Sequence, residues 1–205
     1  MIVKKPLNTM RSVHVQAGFT LVELVVVVIL LGVLAVVALP RFINTTEHAQ
    51  LSAVKGVMDA FNSGVSFTQH RWRLDKSSKH SIPDMDFPVL LDATFVSVDP
   101  NNGLPVGSEG VDSINEITAV DCEEIMQQIL TSNIRTVLID GTASLPQIQQ
   151  QDYAISVENS NPDRCHYYLA ASLTSMPAGQ PSNGIGFSYD TAQTMNQAVR
   201  LFDFR

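Results

Sequence analysis

The chain has 205 residues, with 13 Lys/Arg against 20 Asp/Glu and a formal net charge of −7. That acidic balance argues against a dedicated nucleic-acid-binding protein, which relies on positive charge to displace counterions from phosphates. Its two cysteines, Cys122 and Cys165, lack the Cys-x-x-Cys spacing of a dithiol redox pair.

Residues 1–18 carry Lys4, Lys5 and Arg11 and no acid, so all 20 acids lie beyond them. Residues 19–39 follow, with Thr20 and Glu23 as their only polar side chains. As a helix this tract spans roughly 31 Å, close to the thickness of a bilayer core. A short basic segment before an apolar helix orients the N-terminus to the cytoplasm and the rest outward. An ionised carboxylate within such a tract costs a few kcal/mol and calls for a partner. The nearest candidate is the amine that cleavage after Gly18 would create on Phe19. An ordinary secretory signal fits less well. Ala35-Val36-Val37-Ala38 has small residues, but the apolar run is too long, contains Glu23 and would leave Pro40 just past the cut. A plain transmembrane anchor leaves Gly18-Phe19 beside Glu23 unexplained.

The run Gly18-Phe19-Thr20-Leu21-Val22-Glu23, the basic leader and the apolar tract to Pro40 together resemble the processing site and N-terminal helix of type IV pilins and pseudopilins. The resemblance is dense over residues 12–65 and faint beyond. It implies a leader at 1–18, removed by a prepilin peptidase between Gly18 and Phe19, and N-methylation of Phe19. It implies a transmembrane and filament-core helix at 19–39 and an amphipathic helix plus globular head at 40–205. Glu23 would pair with the Phe19 ammonium of a neighbouring subunit and set axial register. Pro40 would mark a segment that kinks or melts as subunits pack. The implied partners are other pilin subunits, the peptidase, the membrane and an inner-membrane assembly platform with a separate ATPase. The Arg41-Phe42 exit after Pro40 and the chain length are most similar to the mannose-sensitive haemagglutinin pilin group, as a minor subunit.

Beyond Pro40, Leu51, Val54, Met58, Phe61 and Val65 recur at three- and four-residue steps, so the spacing predicts one helix over residues 19–73, amphipathic in its second half. Pro40 and Gly32 are its weak points, since proline removes a helical hydrogen bond at a cost of about 3 kcal/mol. Arg71-Trp72-Arg73 opens the one basic cluster after the leader, which reads better as a solvated helix end with favourable dipole placement than as a nucleic-acid site. Residues 76–118, broken by Pro83, Pro88, Pro100 and Pro105, read as a long connection with a short strand at 95–98 and a turn at 99–103. That turn lacks the carboxylates of a calcium loop.

Residues 121–130 read as a short helix with Cys122, Ile125, Met126, Ile129 and Leu130 inward and acids in its first turn. Runs at 136–139, 153–157, 165–171 and 184–189 are strand-like, with a hairpin around Asn161-Pro162 and a final segment at 195–204. The fold class is therefore α+β, a long N-terminal helix packed on a C-terminal antiparallel sheet. An even cysteine count outside the cytoplasm favours a Cys122–Cys165 disulfide, worth about 4 kcal/mol over such a loop. Zinc on Cys122, Cys165 and His166 is the weaker rival, since a fourth ligand is missing. No nucleophile, phosphate-loop or metalloprotease motif is present, so no enzyme, cofactor or metal is expected. The expected function is a structural, minor subunit of a surface filament contributing to adhesion, placed in the inner membrane before assembly. The alternatives are a type II secretion pseudopilin and a membrane-tethered binding module that never polymerises.

Overall fold

The computed structural model describes residues 19–75, 88–91, 94–107, 117–130, 133–160, 163–193 and 197–205. The chain divides into two units, residues 1–46 and 47–205. Helix α1 (Leu21–Asp75, 55 residues) contributes to both and contains Pro40 rather than ending there. In the first unit, Leu21–Ala38 is long and apolar enough to cross a membrane, and none of it is buried. Eight of these residues are valines, which lose rotamer freedom in a helix. In hydrocarbon a lone segment must satisfy its own backbone, so helix is the conformation open to it.

In the second unit the periodic stripe of α1 meets a five-stranded sheet. Val54, Phe61 and Val65 are fully buried, with Leu51 and Met58 packed beside them. The sheet contains β4 (Thr136–Leu138), β5 (Tyr153–Glu158), β6 (Arg164–Leu169), β7 (Gly184–Asp190) and β8 (Val199–Phe204), hydrogen-bonded in that order. Phe61 sits 5.4 Å from each of the rings of Tyr167, Phe187 and Tyr189, and Tyr167 stacks on Phe187 at 4.9 Å. The tyrosine hydroxyls do not waste their polarity. Tyr167 donates to the Cys122 carbonyl at 2.8 Å and Tyr189 to that of Pro105 at 2.9 Å, which keeps two deeply buried phenols satisfied.

The expected sheet is antiparallel, and β5 to β8 are. β4, however, runs parallel to β5. Parallel neighbours need a crossover, and the short helix α3 (Leu145–Ile148), unforeseen in the sequence, lies in the connection. The supposed connection at 76–118 also holds more order than its prolines suggest. β1 (Pro88–Leu91), β2 (Thr94–Val98) and β3 (Pro105–Gly107) form an antiparallel three-stranded sheet. Pro88 and Pro105 open their strands, a place where a missing N–H is tolerated.

The turn at 99–103 joins β2 to β3. Asp99 Oδ1 accepts from the Asn101 N–H at 2.6 Å, and the Gly103 N–H donates to the Asp99 carbonyl at 2.7 Å. Gly103 has φ +73°, and an added Cβ would lie 2.3 Å from the Trp72 ring. Trp72 thus belongs to the end of α1 that packs on this turn, joined by Gln69, whose amide donates to the Asn102 carbonyl at 2.7 Å. The buried stripe of α1 therefore continues past Val65 through Thr68 and Gln69, which periodicity of apolar residues alone does not reveal.

Helix α2 (Ala119–Ile129) fills the space between the sheets. Its capping box uses Thr118 and Asp121: the Asp121 carboxylate accepts from the Thr118 N–H at 2.7 Å. α2 meets α1 closely at Gly64, where a Cβ would fall 2.2 Å from Ile129 Cγ2. Substitution at two other glycines should have opposite signs. Gly56 has open space around it inside a helix, so Gly56→Ala should stabilise by about 0.5–1 kcal/mol. Gly103→Ala meets both strain and the Trp72 ring, so it should destabilise by about 1–3 kcal/mol. Thermal melts of the two variants against the parent in one detergent would check the pair.

Candidate functional site

The N-terminal end of α1 concentrates the residues to which the sequence assigns a role. Phe19 precedes the helix and is 74% exposed. Thr20 caps it: its hydroxyl accepts from the Glu23 N–H at 3.2 Å, and its carbonyl accepts from the Leu24 N–H at 3.3 Å. Glu23 lies in the first turn, where a carboxylate meets the positive end of the helix dipole. Among the described residues Glu23 has no ion-pair partner. Thr20 and Glu23 thus share a helix start as well as an apolar setting, a capping relation the sequence reading did not draw. Gly18 and the leader lie outside the described residues, and Pro40 contributes only its place within α1.

Apart from Glu23, the helix offers an exposed apolar surface from Leu21 to Val37 with nothing of its own unit covering it. Such a surface is stable only in lipid or against other apolar helices. Chemically, the arrangement can insert, pack and pair one charge; it holds no nucleophile and no ligand set. Among the described residues no group of three metal-ligating side chains occurs.

Cys122 and Cys165 are joined, with S–S 2.01 Å and Cα–Cα 5.6 Å, and tie α2 to β6 inside the core. The zinc alternative fails on strand geometry. Neighbouring residues of a strand point to opposite faces, so Cys165 enters the core while His166 leaves it. His166 lies instead in a polar network on the outer face of the sheet that the sequence did not announce. Its Nδ1 is 2.8 Å from the Ser188 hydroxyl and its Nε2 3.2 Å from Glu158 Oε2. Glu158 can only accept, so Nε2 carries the proton and Nδ1 accepts from Ser188. Arg164 joins the same group, with Nε 2.9 Å from Asp190 and Nη1 3.8 Å from Glu158. The available signal was alternation: Glu158, Arg164, His166, Ser188 and Asp190 all fall at outward positions of paired strands.

His166 is 1% exposed. Burial holds its imidazole below the ordinary pKa of 6.5, with Arg164 adding to the effect and the Glu158 hydrogen bond opposing it. The unfolded chain therefore takes up this proton first. The network's contribution to stability is full above about pH 6.5 and falls as pH drops toward the lower folded value. His166→Gln should flatten the loss of melting temperature between about pH 7 and 5, read by circular dichroism beside the parent chain.

Comparison with known proteins adds to this geometry. Residues 14–39 match the family described as the prokaryotic N-terminal methylation motif. The chain is 31% identical over 71 residues to a fimbrial protein of Moraxella nonliquefaciens, covering 35% of this chain and 46% of that protein. It is 30% identical over 105 residues to the type IV narrow pilus major component PilA5 of Thermus thermophilus, covering 51% of this chain and 77% of that one. It is 40% identical over 45 residues to type II secretion system core protein G of Pseudomonas aeruginosa, covering 22% and 32%. The chain thus spans about half the length of the first of these relatives and about a third of the last. No solved structure matches it significantly.

Proposed function

Since the chain belongs to the superfamily of type IV pilins and pseudopilins, we propose that it is a membrane-inserted structural subunit that polymerises through residues 19–39. The observation that carries this reading is a helix apolar over 18 residues, uncovered in its own unit, with one carboxylate in its first turn. Before assembly the chain sits in the inner membrane with residues 1–18 in the cytoplasm. A prepilin peptidase removes that leader between Gly18 and Phe19, where the absence of a side chain on glycine suits a narrow cleavage pocket. The new amine is methylated. Glu23 then pairs with the Phe19 ammonium of a neighbouring subunit as the helix passes from lipid into the filament core. In such a low-dielectric bundle, loss of one partner strands the other charge at about 3–5 kcal/mol, so the pair acts as a register device. Pro40 is the place where the core helix yields during packing, and residues 40–205 supply the surface-facing head. An assembly platform with its own ATPase drives the polymerisation.

A finer reading places the chain as a minor, adhesion-related subunit of the mannose-sensitive haemagglutinin group, supported by the Arg41-Phe42 exit from the apolar tract. A second reading, a secretion pseudopilin, draws support from the 40% identity to core protein G. Both use the same N-terminal chemistry and differ in where the filament ends.

Mass spectrometry of sheared surface filaments separates them. A methylated N-terminal peptide beginning at Phe19 is expected in the filament fraction; processed protein confined to the envelope favours the pseudopilus. Glu23→Ala should leave processing and membrane insertion intact while lowering incorporation by roughly two orders of magnitude. An uncut N-terminus, or normal incorporation of that variant, would refute the assembly mechanism.

A further inference from the structure

The outer face of the sheet carries a cavity of roughly 320 Å³ over β6, β7 and β8, flanked by the loop that holds Gln180. Its size falls at the small end of ligand pockets, about 300–1,000 Å³. One wall is aromatic. Phe202 and Phe204 point to the same face of β8, with ring centroids 6.1 Å apart. Phe202 lies across from Gly186, whose missing side chain leaves room for the ring: a Cβ there would meet Phe202 Cζ at 2.6 Å. Phe204 is 50% exposed. Phe202 is anchored on β6, 5.1 Å from the Tyr168 ring and 6.3 Å from His166, beside a buried apolar cluster; Phe204 extends the aromatic wall outward from it to the rim.

The facing wall is polar and balanced in charge. Glu158 and Asp190 supply two carboxylates, and Arg164 and Arg200 two guanidiniums. Arg164 is engaged by both carboxylates. Arg200 is exposed and makes no hydrogen bond or ion pair among the described residues. Gln180 donates one amide N–H to Glu158 Oε1 at 3.0 Å, which leaves its second N–H and its carbonyl oxygen for another partner. Each carboxylate likewise keeps lone pairs beyond its recorded bonds. The cavity therefore presents free donors and free acceptors side by side, with no net charge to reward an anion or a cation.

We infer that this cavity binds a neutral polyhydroxylated ring, a hexose, with its C–H face on Phe202 and Phe204 and its hydroxyls on Glu158, Gln180 and Arg200. A hydroxyl both donates and accepts, so one such ligand satisfies both sets of groups, whereas a simple ion satisfies one. The apolar face of a pyranose presents weakly positive C–H bonds, which suit the negative face of an aromatic ring.

The test uses the full chain in a zwitterionic, sugar-free detergent. Saturation-transfer NMR is recorded with neutral methyl hexopyranosides, a hexuronate and an aminohexose as probes. At least one neutral hexoside should show saturable binding in the millimolar range, with transfer concentrated on the C–H protons of one ring face. Phe204→Ala and Gln180→Ala should each weaken it by about tenfold or more, with unchanged circular dichroism. Phe204 is half exposed on an edge strand and Gln180 lies in a loop, so at least one variant keeps the fold. Absence of saturable binding by every neutral probe overturns the inference. So does tighter binding of the uronate or aminosugar, or neutral binding that survives both substitutions.

Discussion

Burial of the Phe61 ring against Tyr167, Phe187 and Tyr189 is the contact around which the globular unit is organised. A helix with a single apolar stripe gains little by itself in water and needs a surface to cover that stripe. β6 and β7 supply it with rings, the side chains that bury the most area per residue. The same ring layer reaches further through its hydroxyls. Tyr167 fixes the Cys122 carbonyl at the start of α2, and Tyr189 fixes that of Pro105 at the start of β3. One aromatic layer therefore positions the long helix, the short helix and the small sheet at once. The Cys122–Cys165 bond lies in the same layer and restrains the unfolded chain more than it shapes the folded one.

The first half of α1 obeys a different constraint. It has no sheet to cover it, and its valine-rich composition favours helix only where water cannot hydrogen-bond the backbone. Under the filament reading, lipid first and neighbouring subunits later play the part that the ring layer plays for residues 47–75. Glu23 fits that passage. In the first turn its charge meets the helix dipole and Thr20 caps its N–H, so the carboxylate is tolerable in the isolated chain and still available for a stronger partner.

Strand alternation puts the ring layer on the inner face of the five-stranded sheet and, on its outer face, a polar ladder beside a second apolar cluster around Ala154 and Tyr168. Inward go Cys165, Tyr167, Phe187 and Tyr189; outward go Arg164, His166, Ser188 and Asp190. A one-residue slip in the β6–β7 register would bring charge into the ring layer, so the polar ladder also guards the pairing. Its members pair around a buried neutral histidine, and the binding capacity left on that face lies at the rim, with Arg200, Phe204, Gln180 and the remaining lone pairs of Glu158.

Several features were determined by the sequence alone because their physics is local. The apolar tract at 19–39, the lone Glu23 and the Gly18-Phe19 junction need no tertiary contact to be recognised. The stripe Leu51–Val54–Met58–Phe61–Val65 follows from helical spacing, and the turn at 99–103 from Asp, Asn and Gly chemistry. Other features had no local signature. β1 and β3 open on proline and are too short to alternate, so they exist only because β2 pairs with them. The parallel β4–β5 pair depends on a crossover, Trp72 packs on the turn at 99–103 only because Gly103 leaves space for its ring, and His166 meets Glu158 across a strand pair. The sequence thus determined what each segment prefers and which surface it must hide. Tertiary structure decided which distant polar groups meet, because strand pairing and register are set by the packing of the whole sheet against Phe61 and not by any residue's neighbours in the chain.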